Sequence, residues 1–298
     1  MTDWEVISKL YPVYGEAEFD FAANSTIGCG GKARGVLYPA NVSETEKIFR
    51  FFRSEKIPFL PLGNGSNILA SDRGMDGFVL RLERMKHIAY LGNGVLYADA
   101  GVSVRDLSAF CLENNLTGCE FLCGIPATLG GLLYMNAGVT GFHIGDIADS
   151  VVALGDGGIR IVPNEECAFG NKTSVFMQTK EIILGAKLKL APAEKYIILQ
   201  KKNYFLSRRK DLPYGKSMGC VFVNPQGISA GALIQMAGMK GKRIGGAVVS
   251  EKHANFILNT GGATSADIQR LIAEIRSAVY RLSGVNLKEE IQYIGAFT

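Results

Sequence analysis

The segment Gly118–Gly141, GCEFLCGIPATLGGLLYMNAGVTG, decides how the rest of the chain is understood. Glycine stands at 118, 124, 130, 131, 138 and 141, with Pro126 among them and hardly any charge. A helix pays roughly 1 kcal/mol for each glycine relative to alanine. A strand loses side-chain packing at the same positions. The expected use is main chain as a binding surface, because glycine brings N–H groups close to a ligand and rows of N–H form anion nests. The alternative is a glycine-rich core loop. Phe121–Met135 is apolar, yet it falls short of the ~20 residues of a membrane span and is broken by Pro126, Gly130 and Gly131.

At 298 residues with 47% hydrophobic content, the chain has material for two or three cores. A net charge of +4 suits anionic small molecules and argues against nucleic-acid partners. Neither a signal peptide nor a span long enough for a bilayer is expected, so the protein is read as soluble, cytoplasmic and without a membrane partner. Of the six cysteines, Cys29, Cys111, Cys119, Cys123 and Cys167 are expected to be reduced core residues. No histidine completes a zinc set with the close pair Cys119 and Cys123, and no metal is expected.

Upstream, residues 1–20 suggest a short helical lead-in. TIGCGGKA, Thr26–Ala33, is a first glycine cluster. Ser43-Glu44-Thr45-Glu46 has the form of a capping box, and Ile48, Phe51, Phe52 and Glu55 then follow helical spacing. Pro58 closes that helix. Phe59–Leu62 has the character of a buried strand running into Gly63-Asn64-Gly65-Ser66-Asn67, a good cradle for a diphosphate; Phe78–Leu82 is the next strand. Val95–Gly101 is a strand and turn, and Ser103 caps a helix that delivers the chain to the central stretch.

Downstream, Val151–Ile161 alternates like a hairpin around Asp156-Gly157-Gly158, and Glu181–Leu190 is a strand. Pro192 marks a boundary. Ile197–Arg209 is a helix with a basic end, Ser229 caps a short helix, and Gly241–Asn259 alternates glycine turns with strand-like runs. Thr264 and Asp267 cap a long helix with the stripe Ile268, Leu271, Ile272, Ile275, Val279 and Leu282, ended by Gly284. The expected organisation is α+β. A lead-in over 1–20 precedes a two-subdomain unit over 21–192 (about 21–90 and 91–192), and a smaller α+β domain follows over 193–298. No GxGxxG follows a strand, Lys210 stands where a Walker A motif needs its first glycine, and no GxSxG is present. Rossmann, kinase and hydrolase readings lose their support.

NSTIGCGGKA, PLGNGSNILASDRGMDG, GCEFLCGIPATLGGLLYMNAG, GCVFVNP and GGAVVSEKHANFILN occur in this order. As an ordered set spanning about residues 20–295 they resemble the UDP-N-acetylenolpyruvoylglucosamine reductases, in their shorter form. The resemblance implies NADPH-dependent, FAD-mediated reduction of the enolpyruvyl ether of UDP-N-acetylglucosamine to UDP-N-acetylmuramate, in peptidoglycan synthesis. It implies an FAD-binding domain of the vanillyl-alcohol-oxidase type, then a substrate-binding domain acting on a UDP-sugar. The chain is expected to work as a monomer.

By the same resemblance, Gly63, Asn64, Gly65, Ser66 and Asn67 cradle the FAD diphosphate with Leu62 and Ile68 beside them, and Asp72 and Gly77 hold the following turn. Gly124, Ile125, Pro126, Thr128, Gly130, Gly131, Asn136, Ala137 and Gly138 line the flavin. Cys220 stands where the family carries a serine or cysteine proton donor. A thiol with an ordinary pKa of about 8.5 is mostly protonated at neutral pH; the alternative is a buried cysteine in a turn. Glu290 matches the family glutamate that polarises the enol, with Glu289 as the register alternative.

One departure stands out. Where the family reads Tyr-Arg, this chain has Asn171-Lys172. Lys172 keeps the positive charge that braces the substrate carboxylate but loses the bidentate fork; Ser174 keeps its place. Asn224 and His253 are expected to bind substrate, with Lys240, Lys242, Arg243 and Lys252 as further cations. The competing readings are another flavin oxidoreductase of the same fold, or a degenerate relative that binds a nucleotide without turnover.

Overall fold

The computed structural model describes residues 2–10, 13–139 and 141–297; Met1, Tyr11, Pro12, Thr140 and Thr298 lie outside them, so Thr140 of the central stretch is not placed. The chain forms two compact units, each assembled from separate segments: Met1–Glu16, Val36–Asn64 and Val79–Lys210 in the first, Ala17–Gly35, Gly65–Phe78 and Asp211–Thr298 in the second.

The first unit is built on a five-stranded antiparallel sheet, ordered Gly158–Pro163, Ala148–Gly155, Ile182–Lys189, Val95–Asp99, Ile88–Gly92. The expected hairpin is there, with Gly155 opposite Gly158 across the turn. Leu96, Ala98, Val151, Ala153, Ala186 and Leu188 are buried from the strands. Leu107 and Cys111 of the helix Val104–Glu113 join the same core, as do Leu129, Leu132 and Leu133. Ser103 caps Val104–Glu113 as expected, accepting from the Asp106 N–H at 3.1 Å.

The second unit carries a four-stranded antiparallel sheet, ordered Lys216–Cys220, Phe256–Asn259, Ala247–Val249, Arg243–Ile244. The helix Ser265–Ser283 packs with it. Thr264 and Asp267 form the expected reciprocal cap, and Gly284 ends the helix at φ +69°. Ile268, Leu271, Ile272, Ile275 and Val279 enter the core, each worth ~1.5–3 kcal/mol of apolar transfer. A parallel pair, Ile68–Ala70 with Gln292–Ile294, sets Ile68 opposite Gln292.

Several local expectations need correction. Residues 3–9 are helical, but a strand follows at Tyr14–Asp20 and heads a four-stranded sheet with Lys32–Tyr38, Met75–Leu80 and Phe59–Pro61. The Ser43 box is not the cap of its helix. Val42–Ser54 starts one residue before it, and Asn41 Oδ1 takes the Glu44 N–H at 2.9 Å. Its buried face is Thr45, Ile48, Phe49 and Phe52, the i, i+3, i+4, i+7 set, with Phe51 only half-buried. Leu282 sits in the last helical turn and is 52% exposed.

The central stretch also holds a helix that its glycines argued against. Leu129–Met135 is helical, capped by Thr128, whose hydroxyl accepts from the Gly131 N–H at 3.4 Å. Packing overrides propensity here. A Cβ on Gly130 would lie 3.1 Å from the Ala100 Cβ, so glycine lets this helix approach the Ala100–Val102 main chain.

Candidate active site

In the second unit the strand Lys216–Cys220 pairs antiparallel with Phe256–Asn259, and its register shifts between Ser217 and Cys220. Gly219 takes φ +75° in that irregular stretch, with nothing within 4 Å of where a Cβ would stand. The irregularity leaves Cys220 half-buried, whereas the other five cysteines are buried. Burial pushes the Cys29 thiol up to about 12 and the Cys167 thiol up to about 11, which makes both inert.

The main chain after Cys220 is gripped from two sides. The Val221 N–H donates to the Asn255 carbonyl at 2.9 Å, and the Val221 carbonyl accepts from the Glu290 N–H at 2.8 Å. Phe222 bridges antiparallel to Glu289, and the Val223 N–H donates to the Lys288 carbonyl at 2.9 Å. Asn67, at the end of the Gly63–Asn67 turn, donates its amide to the Glu290 carbonyl at 3.2 Å. Main-chain bonds thus tie the segment after Cys220 to Glu290, and the Asn67 side-chain amide joins them, within one unit.

The same geometry separates Glu289 from Glu290. Glu289 meets Arg276 at 3.1 Å. Burial first, and a hydrogen bond to Glu289 second, push the Tyr293 phenol well up. Glu290, next to Glu289, is half-buried.

Asn224 Oδ1 accepts from the Ala230 N–H at 3.0 Å, which leaves its amide NH2 as the end it offers a ligand. His253 Nδ1 accepts from the Asn255 N–H at 3.3 Å, so the neutral ring carries its proton on Nε2. Burial, aided by the charge of Lys240, holds His253 below its ordinary range. Of the other cations, Lys242 pairs with Glu274 at 3.2 Å and Arg243 donates to Thr260 at 2.7 Å. Lys252 lies over the Tyr214 ring at 5.3 Å.

In the first unit, a Cβ on Gly63 would lie 2.7 Å from Thr128 Oγ1. Gly124 takes φ +82° against the Arg209 side chain. The N–H groups of Leu129 and Gly130 donate to the Val102 and Ala100 carbonyls at 2.8 and 2.9 Å, and those of Ile125 and Ala127 bond locally. These four N–H groups of the stretch are therefore not open donors. At Gly63 and Asn64 the reverse holds: among the described residues, no acceptor takes these main-chain N–H groups. A turn of open donors that a Cβ at 63 would obstruct fits a diphosphate.

Asn136 ends the helix Leu129–Met135 in the left-handed region at φ +43°. Both ends of its amide are engaged, donating to the Gly170 carbonyl at 2.8 Å and accepting from the Gly145 N–H at 3.0 Å. Buried Ser174 donates to the Tyr134 carbonyl at 2.7 Å, so only its lone pairs remain for a ligand. Between these anchors Gly170–Thr173 forms a tight turn with Lys172 at φ +59°. Asn136, Lys172 and Ser174 are thus brought together. Asp72 does something sequence reasoning did not foresee: its carboxylate accepts the N–H groups of Ser265 and Ala266 at 2.8 and 3.2 Å, at the start of Ser265–Ser283. Asn255 was also missed; its only sequence signal is an amide flanked by apolar residues in a strand pattern.

No helix among the described residues is long and apolar enough to cross a membrane, and no group of three or more His, Cys, Asp or Glu could hold a metal.

Residues 33–155 match the family model of the FAD binding domain, and residues 210–294 that of the UDP-N-acetylenolpyruvoylglucosamine reductase C-terminal domain. The reductase of Geobacillus kaustophilus is 38% identical over 276 residues, covering 91% of this chain and 90% of the relative. That of Carboxydothermus hydrogenoformans is 37% identical, covering 92% of each. The crystal structure of the Thermus caldophilus reductase superposes with a TM-score of 0.83 at 31% identity, covering 95% of this chain and 99% of that one. The α+β fold with an FAD-binding domain is the one the motifs implied. Relatives of this identity and coverage leave one assignment: the chain belongs to the UDP-N-acetylenolpyruvoylglucosamine reductase family.

Proposed function

We propose that the protein reduces UDP-N-acetylglucosamine enolpyruvate to UDP-N-acetylmuramate with NADPH and FAD, in peptidoglycan synthesis. The observation that carries this reading is the half-buried thiol of Cys220 on an irregular strand whose next residue accepts the Glu290 N–H. The chemistry FAD supplies when bound is the relay of a hydride from NADPH to the vinyl carbon of the substrate.

The chain's own residues do the rest. Cys220 holds the proton that completes the neighbouring carbon, since a thiol is largely protonated at neutral pH. Glu290 stabilises the enol by hydrogen bonding as charge grows. Lys172 supplies positive charge to the substrate carboxylate as a point charge without a fork. Asn224 and His253 hold the UDP-sugar through the amide NH2 and the Nε2 proton, and Ser174 accepts through its lone pairs. Leu62 to Ile68 hold the diphosphate, and Gly124, Ile125, Pro126, Thr128, Gly130, Gly131, Ala137 and Gly138 border the flavin. Residues 21–192 carry the cofactor and 193–298 the substrate, in a cytoplasmic monomer.

The test is spectroscopic. Purified protein loaded with FAD shows flavin bands that NADPH bleaches and the enolpyruvyl substrate restores. Protein that takes up no FAD, or that consumes NADPH at a rate indifferent to the substrate, rules the reading out.

A further inference from the structure

Asn255 is 2% exposed, and all four of its hydrogen-bonding groups are engaged. Its N–H donates to His253 Nδ1 at 3.3 Å and its carbonyl accepts from Val221 at 2.9 Å. Its Oδ1 accepts from the Phe222 N–H at 2.9 Å, and its Nδ2 donates to the Phe222 carbonyl at 2.8 Å. The carboxamide thus serves Phe222 as a neighbouring strand would, taking the N–H and supplying a donor to the carbonyl.

That substitution happens where regular pairing stops. The ladder between Lys216–Cys220 and Phe256–Asn259 ends at Cys220 opposite Phe256. On its other edge the same segment is held by Glu290 and Glu289. Without the carboxamide, the Phe222 N–H and carbonyl, on a residue 1% exposed, would lack partners on the Cys220 side. We infer that Asn255 is a positioning residue for proton transfer: its side chain locks the segment after Cys220 where Glu289 and Glu290 hold its other edge, and its main-chain N–H fixes the tautomer of His253. The inference rests on Cys220 as the proton donor.

The experiment compares Asn255→Asp, Asn255→Leu and Cys220→Ala as FAD-loaded enzymes, timing flavin reduction by NADPH apart from reoxidation by substrate. A carboxylate at 255 still accepts from Phe222 but sets lone pairs against its carbonyl; a protonated carboxyl restores the donor. In Asn255→Asp, flavin reduction stays within about twofold of wild type and reoxidation falls at least about tenfold at mildly alkaline pH. Reoxidation recovers as pH falls, and Asn255→Leu does not recover. Of the titratable groups, His253 bonds Asn255 directly, Cys220 precedes the segment that Asn255 holds, and Lys288, Glu289 and Glu290 lie along that segment's other edge; all are present in wild type as well. A recovery confined to the variant therefore belongs to the new carboxyl. Should the Leu variant fail to fold, the pH profile of the Asp variant decides alone. Parallel loss of both half-reactions, or no recovery at acid pH, overturns the positioning role. Unimpaired reoxidation in Asn255→Asp beside a dead Cys220→Ala overturns it while sparing Cys220; unimpaired reoxidation in Cys220→Ala removes the premise itself.

Discussion

The side-chain amide of Asn67 donates to the main-chain carbonyl of Glu290 at 3.2 Å, while the carbonyl of Asn67 takes the N–H of Gln292 at 2.9 Å. The last residue of the Gly63–Asn67 turn is thereby stitched across the residue assigned to enol stabilisation. Asn67→Ala removes the amide bond and keeps the main-chain one, so it should cost ~1 kcal/mol of stability. Reoxidation of reduced flavin by substrate should slow as Glu290 loses its anchor. Thermal unfolding and single-turnover reoxidation check this; a variant as fast and as stable as wild type contradicts the link.

Lys172 occupies the left-handed region in a four-residue turn, a conformation costing a non-glycine residue ~1–2 kcal/mol. Strain at such a place is kept where function needs the side chain. Lys172→Gly should therefore raise stability by ~1 kcal/mol and cut substrate reduction. Lys172→Arg should leave stability unchanged and raise turnover several-fold by restoring bidentate contact. Melting temperature and kcat are the readouts. A stabilised Gly variant with undiminished turnover would strip Lys172 of its role.

His253 is held below its ordinary value near 6.5 by burial, with Lys240 adding repulsion. The unfolded chain therefore binds the proton first as pH falls. Stability is full above the unfolded value, declines as pH drops below it, and levels off beneath the folded pKa. His253→Gln should flatten this weakly acidic slope. Melting temperatures of the two proteins measured across that range should converge on acidification; parallel curves would show that other groups set the slope.

Much of this was legible in the sequence because strong local signals agreed with tertiary packing. Ser103, Thr264 with Asp267, and Gly284 act where their spacing puts them, and the hairpin turn sits at Asp156-Gly157-Gly158. What was not legible depends on distant partners. The helix Leu129–Met135 exists because Gly130 lets it approach Ala100, a residue thirty positions earlier that no local propensity registers. The Ser43 box lost to Asn41 because capping is settled by where the buried face begins. At the candidate site, motif order put Cys220 and Glu290 forward as candidates, whereas nothing put Asn255 forward. Its work lies in closing a ladder whose register only the fold defines.

Gly101 tests whether the floor beneath the central stretch is fixed by the backbone. A Cβ there would lie 1.8 Å from the Leu82 carbonyl oxygen and 2.5 Å from that of Met85. Both are main-chain atoms, so no side chain can swing aside. The flanking carbonyls, Ala100 and Val102, are the ones that receive the Gly130 and Leu129 N–H groups. Gly101→Ala should thus cost at least about 3 kcal/mol, the upper end for overpacking, and lower the FAD content of the purified protein. Gly157→Ala is the matched control, since nothing lies within 4 Å of its added methyl and surface changes of that kind stay within about 0.5 kcal/mol. Denaturant midpoints and flavin-to-protein absorbance ratios measure both effects. If Gly101→Ala unfolds with the control and keeps its flavin, the close approach at this turn does not set the surface on which the cofactor rests.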